Sequence, residues 1–558
     1  MTRYAAHVNA RETAQKTQAR PDQVQNNAGG YVFAVDKWKR LDRFLILGAE
    51  GGTYYVSERK LTVDNAKVVA ECLAEDGLRT VARIVEISDA GRAPKNDPAI
   101  FALAMAAGYN SGGGFSRPED DEATRKAALA AIPKVCRIGT HLFHFANDVQ
   151  NFRGWGPALQ KAVAAWYTAR EADRVAYDLV KYQARDGWGH KDLIRLSHPK
   201  APSAAHKAAL TWSARGGLEK LTDPTKKKGG GERGTVASRE ALPAVIEAFC
   251  EMHSGVDVAR AVELILKHRL PHECVPNECK DDPRIWEALA EYMGPTALMR
   301  NLNKMTAVGL LRPMSNGAEK IARKLTDPLS LFKARVHPIE VLIRLKTYAQ
   351  GHGDKGALTW TPVPEVVDAL DAAFYLAFEA IEPTGKRHLL GLDCSGSMSS
   401  AVARTNISAR EGAAAMAMAT VRAEKKTHVM GFGHQFITLP ITARQRLDDV
   451  AGVMSRVAFG GTDCSLPMLY ALENKIEVDC FSVYTDSETW AGHIHPFQAL
   501  NRYRQATGID ARLVVVGMTS TGFTIADPSD AGMLDVVGFD SATPAVIADF
   551  AANREVQH

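Results

Sequence analysis

The apolar residues of this chain keep two different rhythms, and the change from one to the other near residue 360 limits the fold more than any other feature. In the first part Val68, Val69, Cys72 and Leu73 recur at helical spacing until Gly77, and Val81, Ile84, Val85 and Ile87 follow in a second run. A third run opens at Pro98 and stops at Gly108, and similar spacing returns in 242–250, 256–267, 285–293 and 339–349. Such stripes bury one face of a helix. Helix pairs repeated over about 300 residues, with no strand expected between them, read as an α-solenoid in which each pair covers its neighbours; an irregular helical domain is the plainer alternative.

The second part alternates short continuous apolar runs (387–393, 427–433, 478–486, 512–518, 534–539) with helical stretches (408–426, 444–454, 466–475, 496–506, 544–552). Strands without polar alternation are buried on both faces, so this pattern predicts a mostly parallel, doubly wound α/β unit. The fold class is therefore α plus α/β, in several domains, as expected of 558 residues.

The formal net charge of +4 conceals an asymmetry between these parts. Residues 361–558 carry 15 Lys and Arg against 23 Asp and Glu, a net of −8, which leaves +12 on residues 1–360. A basic helical part suits an anionic partner such as nucleic acid, or is simply solvated. The eight cysteines form no CxxC pair and read as reduced thiols in a cytoplasmic protein. The N-terminus lacks the apolar core of a signal peptide, and no stretch approaches the roughly 20 apolar residues of a membrane helix.

Two loops are too rich in glycine to be helical, 108–122 and 226–234. Neither has the phosphate-cradling GxxxxGK[ST] spacing, and the chain has no GxSxG elbow or HExxH helix, so ATPase, esterase and metalloprotease chemistry find no support. His268, His272, Cys274 and Cys279 match no paired zinc knuckle.

A more specific pattern lies where strands of the α/β unit end, the edge at which such sheets bind ligands. Asp393, Ser395 and Ser397 stand in D-x-S-x-S spacing, a later loop offers Gly460, Gly461 and Thr462, and another strand ends in Thr485 and Asp486. Oxygen donors alone, with few charges, suit a hard cation such as Mg²⁺ that keeps an open position. A D-x-S-x-S turn alone would equally well cap the following helix. The three-part pattern resembles the metal-ion-dependent adhesion site of von Willebrand factor A domains. That resemblance implies Ser395, Ser397 and Thr462 as direct ligands, and Asp393 and Asp486 as direct or water-mediated ones.

The segments 27–65, 181–198 and 299–306 resemble the TROVE module of the Ro autoantigen family, whose order, TROVE then A domain, is also the order here. The likeness is weakest before Gln25 and in the two glycine-rich loops. It implies an N-terminal arm (1–24), a monomeric ring of HEAT-like helical repeats (25–360) and an A domain (361–558) that clasps the ring's ends. It further implies a non-catalytic RNA-binding protein of RNA quality control. The ring's hole would admit single-stranded 3′ ends of misfolded RNAs, and its outer surface would hold a small non-coding Y RNA that can tether polynucleotide phosphorylase.

Residues 181–207 hold Lys181, Arg185, Lys191, Arg195, Lys200 and Lys207, with His190, His198 and His206, against Asp186 and Asp192 only. Such density favours phosphate contact, and Trp188 offers a ring for a base, although a solvated helix face has the same composition. Lys181, Arg185 and His198 keep the residue types of the family's outer RNA surface. Arg300, Asn301 and Lys304 match the family's ring-facing RNLGKMT segment, with Asn303 where the family has Gly; Asn301 equally reads as a residue satisfying helix ends. A Mg²⁺-dependent assembly or adhesion factor is the alternative, in which the A domain grips an acidic partner.

Overall fold

The structure is a computed structural model that describes residues 12–48, 66–112, 118–221, 225–226, 232–233, 237–353, 356–378, 382–401, 407–437, 439–457 and 460–553. Residues 1–11 of the expected arm, 49–65 of the TROVE-like segment and 227–231 of the second glycine-rich loop lie outside the described residues. The helices begin and end where side chains satisfy the free backbone groups. The Asp36 carboxylate accepts from the backbone N–H groups of Trp38 and Lys39 to start Lys37–Leu47, and Gly48 ends that helix in the left-handed region at φ 87°. Asp76 accepts from the Arg79 N–H at the start of Gly77–Ala90, and Asp257 from the Arg260 N–H at the start of Val258–His268.

Each helix packs on near neighbours in sequence. Gly77–Ala90 lies on Pro118–Val135, Asp97–Ala107 on Gly139–Val149, Pro157–Thr168 on His190–Ser197, Val258–His268 on Pro283–Tyr292, and Pro338–Ala349 on Pro364–Leu376. This is the solenoid arrangement. Asp97–Ala107 is apolar all round after its first residue and is buried on every side, as a helix between two others must be. Gly77 allows one close crossing, because a Cβ there would lie 2.1 Å from Thr124 Oγ1.

The helical part is not free of strands. Ala184–Arg185 pairs with Trp188–Gly189 as a tight hairpin, and within the second glycine-rich loop Thr225–Lys226 pairs with Glu232–Arg233. The expected loop 108–122 includes the start of Pro118–Val135, whose first turn is rich in acidic residues.

The array turns back on itself, giving a ring-like fold. Arg335 Nη2 meets Asp89 Oδ1 at 2.7 Å, and His337 Nε2 lies 3.1 Å from the Arg92 carbonyl and 2.7 Å from that of Phe539. Arg92 in turn holds Asp540 at 2.6 Å. The start of the helical array, its end and the last strand–helix connection thus share one seam.

The second part is a six-stranded sheet in the order Met533–Val537, Arg512–Gly517, Cys480–Thr485, Arg387–Asp393, Lys426–Phe432, Phe436–Ile437. All pairs are parallel except the last. Alternate residues of its strands enter different cores. Leu390, Leu392, Tyr484, Val514 and Val516 join the core that runs through the helices, whereas Leu389, Phe481, Val483, Leu513 and Val515 join a second core with Phe497 and Tyr503. Pro364–Leu376, beyond residue 360, packs with the helices, and the sheet begins at Arg387.

The N-terminal segment belongs physically to the α/β part. Gln23–Gln25 and Tyr31–Ala34 pair antiparallel, and Tyr31–Ala34 also pairs with Phe523–Thr524. Val32 and Phe33 enter the second core. Arg43 then anchors the first helix, its Nη2 lying 2.8 and 2.9 Å from the two carboxylate oxygens of the buried Asp535.

Candidate functional site

The parallel register brings Asp393, at the end of the central strand, beside the end of Cys480–Thr485. Thr485 Oγ1 donates to Asp393 Oδ2 at 2.6 Å, and Asp393 Oδ1 accepts the Ser395 backbone N–H at 2.9 Å. Ser395 Oγ and Ser397 Oγ share a hydrogen bond of 3.0 Å. Asp486 Oδ1 accepts the Glu488 N–H at 3.0 Å, whereas the buried Oδ2 meets no donor in hydrogen-bond geometry. Burial, reinforced by the charge of Asp486, raises the Asp393 pKa to about 7. Burial raises that of Asp486 as well, with the Ser397 hydroxyl working against it.

The third expected segment arrives from the loop before Leu466–Glu473. The Thr462 carbonyl accepts from the N–H groups of Trp490 at 3.0 Å and Ala491 at 2.9 Å, and Cys464 N donates to Thr489 Oγ1 at 3.0 Å. Cys464 Sγ lies 3.5 Å from Thr485 Oγ1. Asp393, Ser395, Ser397, Thr462 and Asp486, all buried, therefore stand on loops that touch one another at one sheet edge. Two buried carboxylates, one with an oxygen that meets no donor, and the Ser395 and Ser397 hydroxyls, with Thr462 on the adjoining loop, are oxygen donors of the kind a hard cation takes.

Sequence reasoning missed the residue that ties these loops together. Gln15 is fully buried; its Nε2 donates to Asp463 Oδ1 at 2.7 Å and to the Ile494 carbonyl at 2.9 Å. Its Oε1 accepts from Thr489 Oγ1 at 2.6 Å and from Gly492 N at 3.2 Å. No local pattern signals a partner 448 residues away.

The basic stretch is divided by the fold. Arg185 sits on the hairpin, Lys191 and Arg195 on His190–Ser197, and His198 ends that helix at φ 46°; these four and Lys200 are exposed. Lys181 ends Ala172–Lys181 with its Nζ 5.5 Å from the Tyr177 ring and 5.3 Å from that of Tyr182. Arg195 Nη2 donates to the Ala214 carbonyl at 2.8 Å. Both acids of the stretch are engaged elsewhere: Asp186 holds His144, and Asp192 Oδ2 accepts the Gly189 N–H at 3.0 Å.

Two of the three histidines do not belong to this face. His190 is buried with its Nδ1 2.9 Å from the Tyr167 hydroxyl, and burial lowers its pKa to about 3. His206 is buried between Ser203 and the Arg170 carbonyl. Trp188 is half-buried with its ring 5.5 Å from that of Trp155, a pairing the sequence did not suggest.

On Pro295–Ala307, Arg300 Nη2 lies 3.1 Å from Glu340 Oε1 and Lys304 Nζ 2.6 Å from Asp281 Oδ1. Asn301, half-buried, donates from Nδ2 to the Ala297 carbonyl of its own helix at 2.8 Å rather than to a neighbouring helix end. Asn303 Oδ1 accepts the Lys304 N–H at 2.8 Å. Among the described residues no helix is long and apolar enough to cross a membrane.

Residues 24–345 match the family model described as the TROVE domain, and residues 387–551 that of the Ro60 vWA domain. The chain is 40% identical over 532 residues to the RNA-binding protein RO60 of Deinococcus radiodurans, covering 95% of each chain. It is 36% identical to that of Caenorhabditis elegans, covering 97% of this chain and 92% of the other. The crystal structure of the Deinococcus radiodurans RO (RSR) protein superposes with a TM-score of 0.66, covering 93% of this chain and all of that one. With a TROVE-like ring of helices closed against an A-type sheet along nearly the whole of both relatives, this chain belongs to the Ro family.

Proposed function

We propose that this protein binds RNA without catalysing its chemistry, holding a small structured Y-type RNA on the face built from residues 181–200 and single-stranded 3′ ends of misfolded RNA within the ring. The observation that carries this reading is the exposed set Arg185, Lys191, His198 and Lys200, for which the only two acids of the stretch are committed to other partners. Exposed Lys and Arg side chains such as Arg185, Lys191 and Lys200, with no ion pair among the described residues, bind phosphate with little regard to sequence. Arg300 and Lys304 play a different part: Lys304 exchanges the exposed Asp281 for an RNA phosphate at little cost, because exposed ion pairs are weak, and Arg300 leaves the half-buried Glu340, which Arg344 also approaches. The two relatives are named as RNA-binding proteins, which supports the same reading. A degradative partner such as polynucleotide phosphorylase would be joined through the outer RNA.

The test is equilibrium binding of two RNAs, a structured small RNA and a duplex with a single-stranded 3′ tail. Lys181→Glu with Arg185→Glu abolishes binding of the first and leaves the second intact; Arg300→Glu with Lys304→Glu does the reverse. Equal affinity for blunt and tailed duplexes refutes the threaded tail.

A second reading rests on the unserved Asp486 oxygen. Asp393, Ser395, Ser397, Thr462 and Asp486 would hold Mg²⁺, which would supply an open coordination position for an acidic oxygen of an assembly partner. EDTA then lowers the melting temperature of the wild type and leaves that of Asp393→Ala unchanged; no shift in the wild type removes the metal.

A further inference from the structure

Beside the Gly460–Thr462 loop the N-terminal segment and the α/β part together enclose a cleft of about 430 Å³, lined by Ala14, Lys16, His434, Gly461, Trp490 and His493 among others. It lies apart from the basic hairpin and from the helix that carries Arg300. Its composition is unusual for the net-acidic half of the chain. One indole, one ammonium and two exposed imidazoles face a shared space, and none of the lining side chains is a carboxylate.

The cleft is built rather than accidental. Lys16 follows Gln15, whose carboxamide is saturated by the four buried hydrogen bonds that join the Asp463 and Thr489–Ile494 loops. The backbone is pinned as well, since Gln15 N donates to the Gly492 carbonyl at 3.0 Å and the Gln15 carbonyl accepts from Tyr31 N at 2.8 Å. Lys16 is thereby delivered to the Trp490 ring, with Nζ 4.6 Å from its centroid. A side chain at the glycines beside the cleft would meet its neighbours closely. A Cβ at Gly460 would lie 2.3 Å from His434 Nδ1, at Gly461 2.9 Å from the Trp490 ring, and at Gly492 2.3 Å from Gln15 Nε2. The loop backbone therefore sits directly against the imidazole and the indole and limits how far either can turn into it.

We propose that this cleft takes one nucleotide of a single-stranded RNA, the base against the Trp490 indole and the adjoining phosphate on Lys16, His434 and His493. The lining offers an aromatic face beside cationic and hydrogen-donating groups, and a nucleotide presents the matching base and phosphate in one unit, whereas a run of acidic residues presents only the anion. Stacking of a base on tryptophan outweighs an exposed cation–π contact, so the incoming base displaces Lys16 from the ring and frees its ammonium for the phosphate. The inference deepens the RNA-binding reading and rests on it; it places a single-strand contact on the A-type domain, outside the surfaces argued above.

The experiment uses the full chain and a short single-stranded oligouridylate containing photoactivatable thiouridine. Irradiation is expected to attach the RNA to the peptide containing Trp490. Trp490→Ala is expected to weaken binding about tenfold and Lys16→Glu to weaken it further, whereas Trp490→Phe retains most of the affinity. Unchanged melting temperatures show that the variants remain folded. Lys181→Glu with Arg185→Glu leaves the crosslink at Trp490 in place. If the wild type binds the oligonucleotide but crosslinks elsewhere, or if Trp490→Ala binds as tightly as the wild type, this inference is overturned while the RNA-binding reading stands. If no single-stranded or structured RNA binds at all, both fall. Protection of Trp490 by a polyglutamate peptide at lower concentration than by the oligonucleotide overturns the nucleotide in favour of an acidic partner.

Discussion

Arg43 shows how much one side chain can carry in a chain of this size. It is 1% exposed and holds both oxygens of Asp535 while also donating to the Thr521 and Phe523 carbonyls. Removing one partner of such a pair leaves a bare buried charge, at a cost of about 3–5 kcal/mol, although replacing both by apolar groups is often nearly neutral. Arg43→Ala is therefore expected to lower the denaturant midpoint strongly, and Arg43→Met with Asp535→Leu to recover only part of it, because the Thr521 and Phe523 carbonyls still lose their donor. The buried Asp393 and Asp486 make the opposite case, since burial opposes the ionisation of both and the charge of Asp486 adds to the effect at Asp393. Asp486→Asn is expected to stabilise the chain in EDTA and to abolish any stabilisation by Mg²⁺, measured by thermal melting in both buffers.

Among the elements, the seam depends on the residue just before Pro338–Ala349. His337 Nδ1 accepts the Ile339 N–H at 3.1 Å, so the ring hydrogen is on Nε2, which donates to the Phe539 carbonyl. Both nitrogens are satisfied only while the imidazole is neutral, and burial lowers its pKa to about 4. An unfolded histidine titrates near 6.5. The unfolded state therefore binds the extra proton first, and the stability that neutral His337 lends is complete above pH 6.5 and is lost as the pH falls towards 4. Across that window the histidine contribution to the unfolding midpoint is expected to fall in the wild type, partly offset by Asp393 and Glu488, whose pKa values burial raises to about 7 and which therefore lend stability as the pH falls. The fall should be shallower in His337→Gln, and not abolished, because His190 and His141, whose pKa values burial holds near 3, add to it. The basic hairpin is the second element with a consequence. In the proposed complex Arg185 and the cations of His190–Ser197 meet phosphate rather than bases, so reversing their charge should lower affinity for all structured RNAs alike. It should also reduce the slope of log affinity against log salt by about one for each phosphate left without its cation.

Over the molecule as a whole, the N-terminal segment, the helices and the sheet form one closed body. Deleting residues up to 34 would strip Phe523–Thr524 of its partner strand, remove Gln15 from between the loops and expose the second core around Phe497. That truncation is expected to lower the melting temperature and to increase proteolysis of the 486–494 loop, as read by mass spectrometry of the fragments. What local chemistry decides was legible in the order of residues. Helical and strand stretches followed from apolar spacing, caps such as Asp76 and the Ser408–Glu411 box follow from residues three or four apart, and the D-x-S-x-S turn is a single short motif. The +12 and −8 of the two parts were legible too, because charge is additive along a chain. Which of those charges are available was settled only by the folded arrangement. His190 and His206 left the basic face for the core, Asp186 and Asp192 found other partners, and Arg300 and Lys304 met acids from distant segments. The same arrangement placed Gln15 against Asp463 and Arg43 against Asp535, contacts that span more than 440 residues. The reason is physical: periodicity reports which face of an element is apolar, whereas a polar contact depends on how that face is docked, and docking is settled by the packing of the entire closed ring.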